Sequence, residues 1–288
     1  MRRAVEVVSL ALVGLVVAGA PAQNTIDNAS RRGADYLKRA QGGGGEWSNA
    51  SNFGIGSTGL IAMALLNCGE PPNAPVIERA AASIREGALA EGRTYQLSIA
   101  IQFLDKLMEV SGNLDDEPLL QVLALRLIAG QTPTGGWSYN CIDQLPQGEA
   151  ARLKALLPPN TKPEDFPLEK EAAQIARIAA AGRAGGRGSS MSDNSNTQFA
   201  VLSLWVARRH QVPVDGALNG VAVYFRSTAA GTGGWGYMPP SGGGPGVASE
   251  AATPAMTCAG LIGLAVAGGT CPPAAVGRGS RPRPRPPP

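Results

Sequence analysis

Apolar residues recur at helical spacing along most of the chain, and two kinds of helix alternate. The first kind is amphipathic. In "RRGADYLKRAQ", from Arg31, the spacing puts Tyr36, Leu37 and Ala40 on one face while Arg32, Asp35 and Lys38 point elsewhere. The second kind is apolar nearly all round: "STGLIAMALL" from Ser57, "NTQFAVLSLW" from Asn196 and "MTCAGLIGLA" from Met256. A helix apolar on every side is expected to be buried on every side. These second helices align. Each opens on a threonine (Thr58, Thr197, Thr257), with Met63, Leu202 or Ile262 five residues on and Leu65, Leu204 or Leu264 seven residues on. "TYQLSIAIQFL" from Thr94 joins them more loosely, with Ile99 and Ile101 in those places. A threonine near a helix start can cap free backbone N–H groups.

Between the two kinds of helix lies a recurring turn. It reads "QTPTGGWSY" at Gln131–Tyr139, "AGTGGWGY" at Ala230–Tyr237 and, more loosely, "QGGGGEWS" at Gln41–Ser48. Glycine lets the chain turn tightly, with positive φ where needed. The indole can then fold over the end of a helix pair and donate its N–H to a backbone carbonyl. Trp47 and Trp137 lie 90 residues apart, and Trp137 and Trp235 lie 98 apart. Half of either interval holds two helices, which predicts a repeat of helix hairpins, four or five in all. Two units would lack the tryptophan: the hairpin of Val76–Gly87 with Thr94–Val110, and the place occupied by Cys141–Ser192. That second stretch, or residues 145–192 of it, reads as an insertion. It carries Pro146, Pro158, Pro159, Pro163 and Pro167, a short charged helix from Leu168 to Ala181, and the loop "AGRAGGRGSS".

"YLKRAQGGGGEW", "LRLIAGQTPTGGW" and "VYFRSTAAGTGGW" resemble the QW repeats of squalene cyclases and protein prenyltransferases. The turn residues concerned are Trp47, Gln131, Gly135, Gly136, Trp137, Gly233, Gly234 and Trp235, with Ala230 in the glutamine place of the third copy. The resemblance implies an all-α fold, an α/α toroid of outer and inner helices joined by these turns, over about Ile26 to Gly269. Four or five hairpins are fewer than a closed ring needs, so an incomplete, open barrel is expected.

The resemblance implies fold more firmly than activity. Cyclases of this family protonate the substrate with an Asp-x-Asp-Asp-Thr motif at the start of an inner helix. The matching stretch here is "DNSNT", in which Asp193 and Thr197 fit, Ser195 replaces the proton-donating aspartate and Asn196 replaces the last one. Neither a hydroxyl nor an amide supplies the strong acid that alkene protonation requires. The segment's alternative role is capping by Ser192, Asp193, Asn194 or Ser195. Aromatic residues make up only 5% of the chain, too few for a cavity lined to stabilise carbocations. Asp115 and Asp116 read as charges favourable to the start of a helix near Pro118.

The family's zinc-dependent branch needs Asp, Cys and His ligands. Here the lone histidine, His210, follows Arg208 and Arg209 at a helix C-terminus, where cations suit the dipole, and Cys141-Ile142-Asp143 reverses the family order. "NCGEPP", Asn67–Pro72, begins like the thioester motif of complement-type proteins, but Pro71 replaces the acyl-bearing glutamine. Gly69 then reads as a left-handed helix cap. A lyase or hydrolase would need a paired set, and no spacing pairs Tyr95, Tyr139, Tyr237 and Asp143. The cavity candidates are therefore Asp193, Asn194, Ser195, Asn196, Gln198, Tyr139 and Asp143. No metal ligand set and no cofactor is expected, because no phosphate loop, dinucleotide turn or metal spacing occurs.

Composition adds the setting. The net charge is +3, but without Arg2, Arg3 and Glu6 at the start and Arg278, Arg281, Arg283 and Arg285 at the end, 19 basic residues face 21 acidic ones. A faintly acidic body gives no nucleic-acid footprint. Residues 1–22 read as a signal peptide. Met1-Arg2-Arg3 is basic, Val7–Ala18 is apolar but short for a membrane span, and Ala20-Pro21-Ala22 suits cleavage. Export to a periplasmic or extracellular space, with no integral span after cleavage, is the expectation. Of the four cysteines, Cys68, Cys141, Cys258 and Cys271, no pair has metal spacing, and Cys258 in its apolar run reads as a free buried thiol. Residues 23–270 form the repeat domain, and 271–288 a disordered Pro/Arg tail. Together these readings imply an exported binding or scaffold module for an apolar ligand or a protein partner. Exposed inner helices at an open end would favour self-association. The alternative is a divergent terpenoid-cyclase-type enzyme acting on an isoprenoid or other apolar substrate.

Overall fold

The computed structural model describes residues 21–47, 54–141, 148–158, 161–185, 191–231, 233–239 and 251–269. The expected signal peptide (save Pro21 and Ala22), the Pro/Arg tail, Asp143, Glu250 and Cys271 lie outside them. The described residues are all-helical, with no strand: α1 (Pro21–Arg39), α2 (Gly54–Asn67), α3 (Pro75–Ala88), α4 (Thr94–Ser111), α5 (Glu117–Ala129), α6 (Glu149–Ala155), α7 (Leu168–Gly185), α8 (Asn194–Arg208), α9 (Asp215–Thr228) and α10 (Pro254–Ala267), with a 3-10 turn at Pro163–Asp165. No helix among them is long and apolar enough to cross a membrane.

The apolar helices α2, α4, α8 and α10 form an inner row, each packed on the next. The helices that precede the turns flank it: α3 lies against α2 and α4, α5 against α4 and α8, α9 against α8 and α10, and α1 against α2. There are thus four hairpins: α1–α2, α3–α4, α5–α8 and α9–α10. The segment Cys141–Ser192 is not a hairpin of its own. It is inserted within the third hairpin, between its turn and its inner helix, and α7 folds back on the outside of α5. The 90 residues between Trp47 and Trp137 therefore span two repeats, and the 98 between Trp137 and Trp235 span one repeat and the insertion. The insertion also buries all thirteen residues of α5, Glu117, Gln121 and Arg126 among them. An outer helix covered on its solvent side must satisfy those polar groups internally. Arg126 donates to the carbonyls of Ala88, Leu89 and Glu91, capping the end of α3. Gln121 donates to the His210 carbonyl (3.0 Å).

Burial departs from the hydropathy pattern at the row's ends. Leu60 of α2 and Leu261 of α10 are 56% and 57% exposed, although both helices are apolar all round. Among the described residues, each helix packs closely on an inner neighbour on one side, α4 for α2 and α8 for α10. Cys258 of α10 is exposed rather than buried, Cys68 is exposed too, and Cys141 is buried with its thiol 3.2 Å from Thr94 Oγ1. Tyr36 of α1 is exposed too, leaving Ala34 and Leu37 to pack on the core.

His210 does more than sit at a helix end. Its imidazole is buried, with Nε2 at 3.0 Å from Asp105 of α4 and Nδ1 at 3.1 Å from Glu117 of α5. Arg209 also pairs with Asp105. Asp116, expected to serve the α5 dipole, forms instead a bidentate pair with Arg85 of α3 (2.7 and 2.8 Å). Asn113 and Asp115 hydrogen-bond each other in the exposed loop before it. Gly69 has φ +89°, with Glu70 N–H donating to Leu65 O and Gly69 N–H to Leu66 O, which closes α2 by the left-handed route.

Candidate functional site

The turns set the site's frame, and three of them share one geometry. Gly42, Thr132 and Ala230 each donate an N–H to the carbonyl four residues on, at 2.8, 3.0 and 2.9 Å. Gly45, Gly135 and Gly233 have φ of +91°, +95° and +83°. Each indole N–H then reaches the carbonyl ten residues back: Trp47 to Leu37 (2.6 Å), Trp137 to Leu127 (2.8 Å) and Trp235 to Phe225 (3.0 Å). The register places Ala229, not Ala230, where the first two copies carry glutamine. Gln41 and Gln131 each donate twice, to their own turn (Gly45 O, 2.9 Å; Gly135 O, 2.8 Å) and to the start of the next outer helix (Val76 O and Ala217 O, both 2.8 Å).

The second glycine of each pair meets the following inner helix. A Cβ on Gly136 would strike Ser192 and Thr197, and one on Gly234 would strike Thr257. Those threonines accept the turn tryptophan's backbone N–H, at 3.0 Å for Thr197 and 3.3 Å for Thr257. The N–H they satisfy belongs to the turn, not to their own helix. The helix cap is the residue four earlier, Asp193 or Thr253, whose side chain accepts from Asn196 N–H or Met256 N–H.

Asp193 is thereby consumed. It is 2% exposed. One carboxylate oxygen accepts from Asn196 N–H (2.7 Å) and the other from the Asn196 amide. Burial pushes its carboxyl above the usual range, against the pull of these hydrogen bonds. Asn194 is also fully buried and ties α8 to the fourth turn, its amide donating to Gly236 O (2.7 Å) and its N–H to Tyr237 O (2.9 Å). Of the seven cavity candidates, Asp193, Asn194 and Asn196 are interior structural residues. Ser195 and Gln198 are half-buried, and Tyr139 is exposed.

What the structure brings together is a group of hydroxyls at the starts of α4 and α8. Tyr95 donates to Ser195 Oγ (2.6 Å), and its hydroxyl lies 3.5 Å from that of Tyr237. The neighbouring Tyr237 hydroxyl raises that of Tyr139. The Tyr95 ring lies 4.9 Å from Phe199, edge-on, and 6.0 Å from Tyr139. Burial raises the Tyr95 hydroxyl, while hydrogen bonds from Tyr95 and Ser195 lower that of Tyr237. Tyr139 and Tyr237 are 57% and 38% exposed. Sequence reasoning found no spacing to pair these tyrosines. The signal was the repeat register, since Tyr139 and Tyr237 each follow a turn tryptophan by two residues and Tyr95 follows Thr94.

Beyond the hydroxyls, one turn further along α4 and α8, the inner helices carry apolar residues that are not fully buried. Ile99 on α4, and Phe199 and Leu202 on α8, are half-buried, with Leu60 and Leu261 at the two ends. Among the described residues, no three His, Cys, Asp or Glu side chains group to hold a metal ion. A separate open cleft, lined by Asn73, Glu78, Arg85, Asn113 and Asp116, lies toward the far end of α4. Its arginine is locked to Asp116.

Fold and site together define a class: an all-helical protein of outer and inner helix hairpins, joined by Gly-Gly-Trp turns, with an aromatic hydroxyl cluster where the inner helices begin. Compared with protein-family models, with curated proteins and with solved structures, the chain matches none.

Proposed function

We propose that this chain is an open arc of the α/α-toroid type, similar in plan to squalene cyclases and protein prenyltransferases, and that it acts after export as a binding module for an apolar ligand. The observation that supports this reading is that large apolar side chains on all four inner helices are not fully buried: Leu60 and Leu261 are exposed, and Ile99, Phe199 and Leu202 are half-buried. Large apolar side chains left in water across several helices mark interaction surfaces. The acid that a cyclase needs is lacking at the matching place. Ser195 stands there, and both Asp193 oxygens are occupied inside the helix cap.

Native mass spectrometry of the purified protein, before and after mixing with an isoprenoid lipid extract, tests the reading. A retained lipid is expected. A bare protein found only as an oligomer would overturn it, because the apolar face would then serve assembly. Export is checked on the secreted fraction, where an N-terminus near Gln23 is expected and a retained Met1 would refute it. The second reading, a divergent terpenoid-cyclase-type enzyme, draws on the Tyr95–Phe199–Tyr139 ring cluster, since ring faces stabilise cations. It requires a cyclised product from an isoprenoid substrate, where the binding reading requires the substrate back unchanged.

A further inference from the structure

We propose that the tyrosine cluster receives the uncharged, hydroxyl-bearing head of an amphipathic ligand whose apolar part lies along the inner row; this rests on the binding reading above. The polar and apolar parts of the surface meet within one helical turn. Ile99 follows Tyr95 by four residues on α4, and Phe199 follows Ser195 by four on α8, a rise of about 6 Å. A ligand lying along α4 and α8 therefore has hydroxyls at one end and hydrocarbon along the rest. Tyr139 and Tyr237 offer exposed hydroxyls that both donate and accept, as an alcohol or a sugar does. The tilted rings of Tyr95, Tyr139 and Phe199 add apolar edges beside them.

Charge selects the head. Among the described residues, the nearest cation in sequence to Tyr95 is Arg93, which Glu91 grips through Nε (2.8 Å) and Nη2 (2.6 Å). Lys106 lies eleven residues along α4, about 16 Å away, and pairs with Glu109 (3.1 Å). Burial raises the Tyr95 hydroxyl and the neighbouring Tyr237 hydroxyl raises that of Tyr139, with the buried Asp193 adding to both in the same direction. Neither Arg93 nor Lys106 is unpaired, so a phosphate or carboxylate head would lose its hydration without gaining either of them. Among the described residues, the carboxylate behind the cluster is Asp193, and both its oxygens are taken by Asn196, so it offers a cationic head nothing.

The test is isothermal titration of the mature protein with n-decanol, n-decyl β-glucoside, n-decyl phosphate and n-decyl trimethylammonium, each below its micellar concentration. The alcohol or the glucoside should bind at least tenfold more tightly than both charged compounds, and whichever leads identifies the source of the hydroxyl. In Tyr139→Phe/Tyr237→Phe that preference should vanish while the charged compounds bind as before. If the double variant misfolds by circular dichroism, Tyr139→Phe alone serves, since that side chain is largely exposed. Equal binding of all four heads, or an unchanged preference in the variant, overturns the head assignment and leaves the apolar-binding reading standing. No binding of any decyl compound overturns both.

Discussion

Gly135 and Gly233 occupy the same place in two copies of one turn, and their surroundings separate two reasons for glycine. Both have positive φ, where a side chain costs about 1–2 kcal/mol. A Cβ on Gly135 would also strike the Gly220 carbonyl of α9, whereas one on Gly233 meets open space. Gly45 is seated like Gly135, against Arg79 O of α3. Gly233→Ala is therefore expected to cost about 1–2 kcal/mol in urea unfolding, and Gly135→Ala clearly more. Equal losses would mean that the turn is not seated on the next helix. Gln131 works at the same junction. It is buried and bridges its own turn to α9, so Gln131→Ala should cost about 1–3 kcal/mol. Gln41→Ala should cost less, because Gln41 is half-exposed. The same urea series reads both.

At the scale of elements, neighbouring hairpins are locked by side chains that cap backbone groups across the boundary. In the first and third hairpins a glutamine reaches forward to the next outer helix. In the second, which has neither glutamine nor tryptophan in its turn, α5 reaches back. Arg126 takes over the carbonyls at the end of α3. Arg126→Met keeps most of the volume and removes the guanidinium bonds to those carbonyls, of which Ala88 O keeps the Glu91 N–H (3.3 Å). A loss of about 2–4 kcal/mol is expected, read by chemical denaturation. A second lock joins three helices: Asp105 of α4 and Glu117 of α5 hold His210, and Arg209 shares Asp105. Burial opposes the imidazolium, but the hydrogen bonds to the two carboxylates win, and the folded pKa lies above the ordinary value. The lock's contribution is thus full below the unfolded histidine value of about 6.5, and fades as pH rises through the raised folded value. Denaturation across that interval should show stability falling with pH in the native protein, and a flatter profile in His210→Gln. A wild-type profile that rises with pH would contradict the assignment.

For the whole molecule, the arrangement grades protection from the middle outward. Helix α5 is buried along its whole length against α4, α7 and α8, while α1 rests on α2 and is exposed along most of its length. Amide exchange should be slowest in α5 and fastest in α1, with α10 nearer the fast end. The fourth turn fits this gradient. It keeps the glycines and the tryptophan but carries Ala229 where a glutamine would seek a next helix. The helices, their alternation and the turn were legible in the sequence because each depends on neighbours within about ten residues. Trp137 and Leu127 belong to one local motif, and the same local motif recurs at Trp47 and Trp235. Burial was not legible at the ends of the row. Hydropathy reports what Leu60, Leu261 and Cys258 would prefer, and not whether a neighbouring helix is there to cover them. Nor was the place of the insertion, because whether α7 forms a hairpin or covers α5 turns on packing between residues far apart in the chain. The site followed the same rule. Asp193 stood out by its motif, yet its oxygens went to the helix cap three residues on. Tyr95 and Ser195, a hundred residues apart, became one cluster only when α4 and α8 packed side by side.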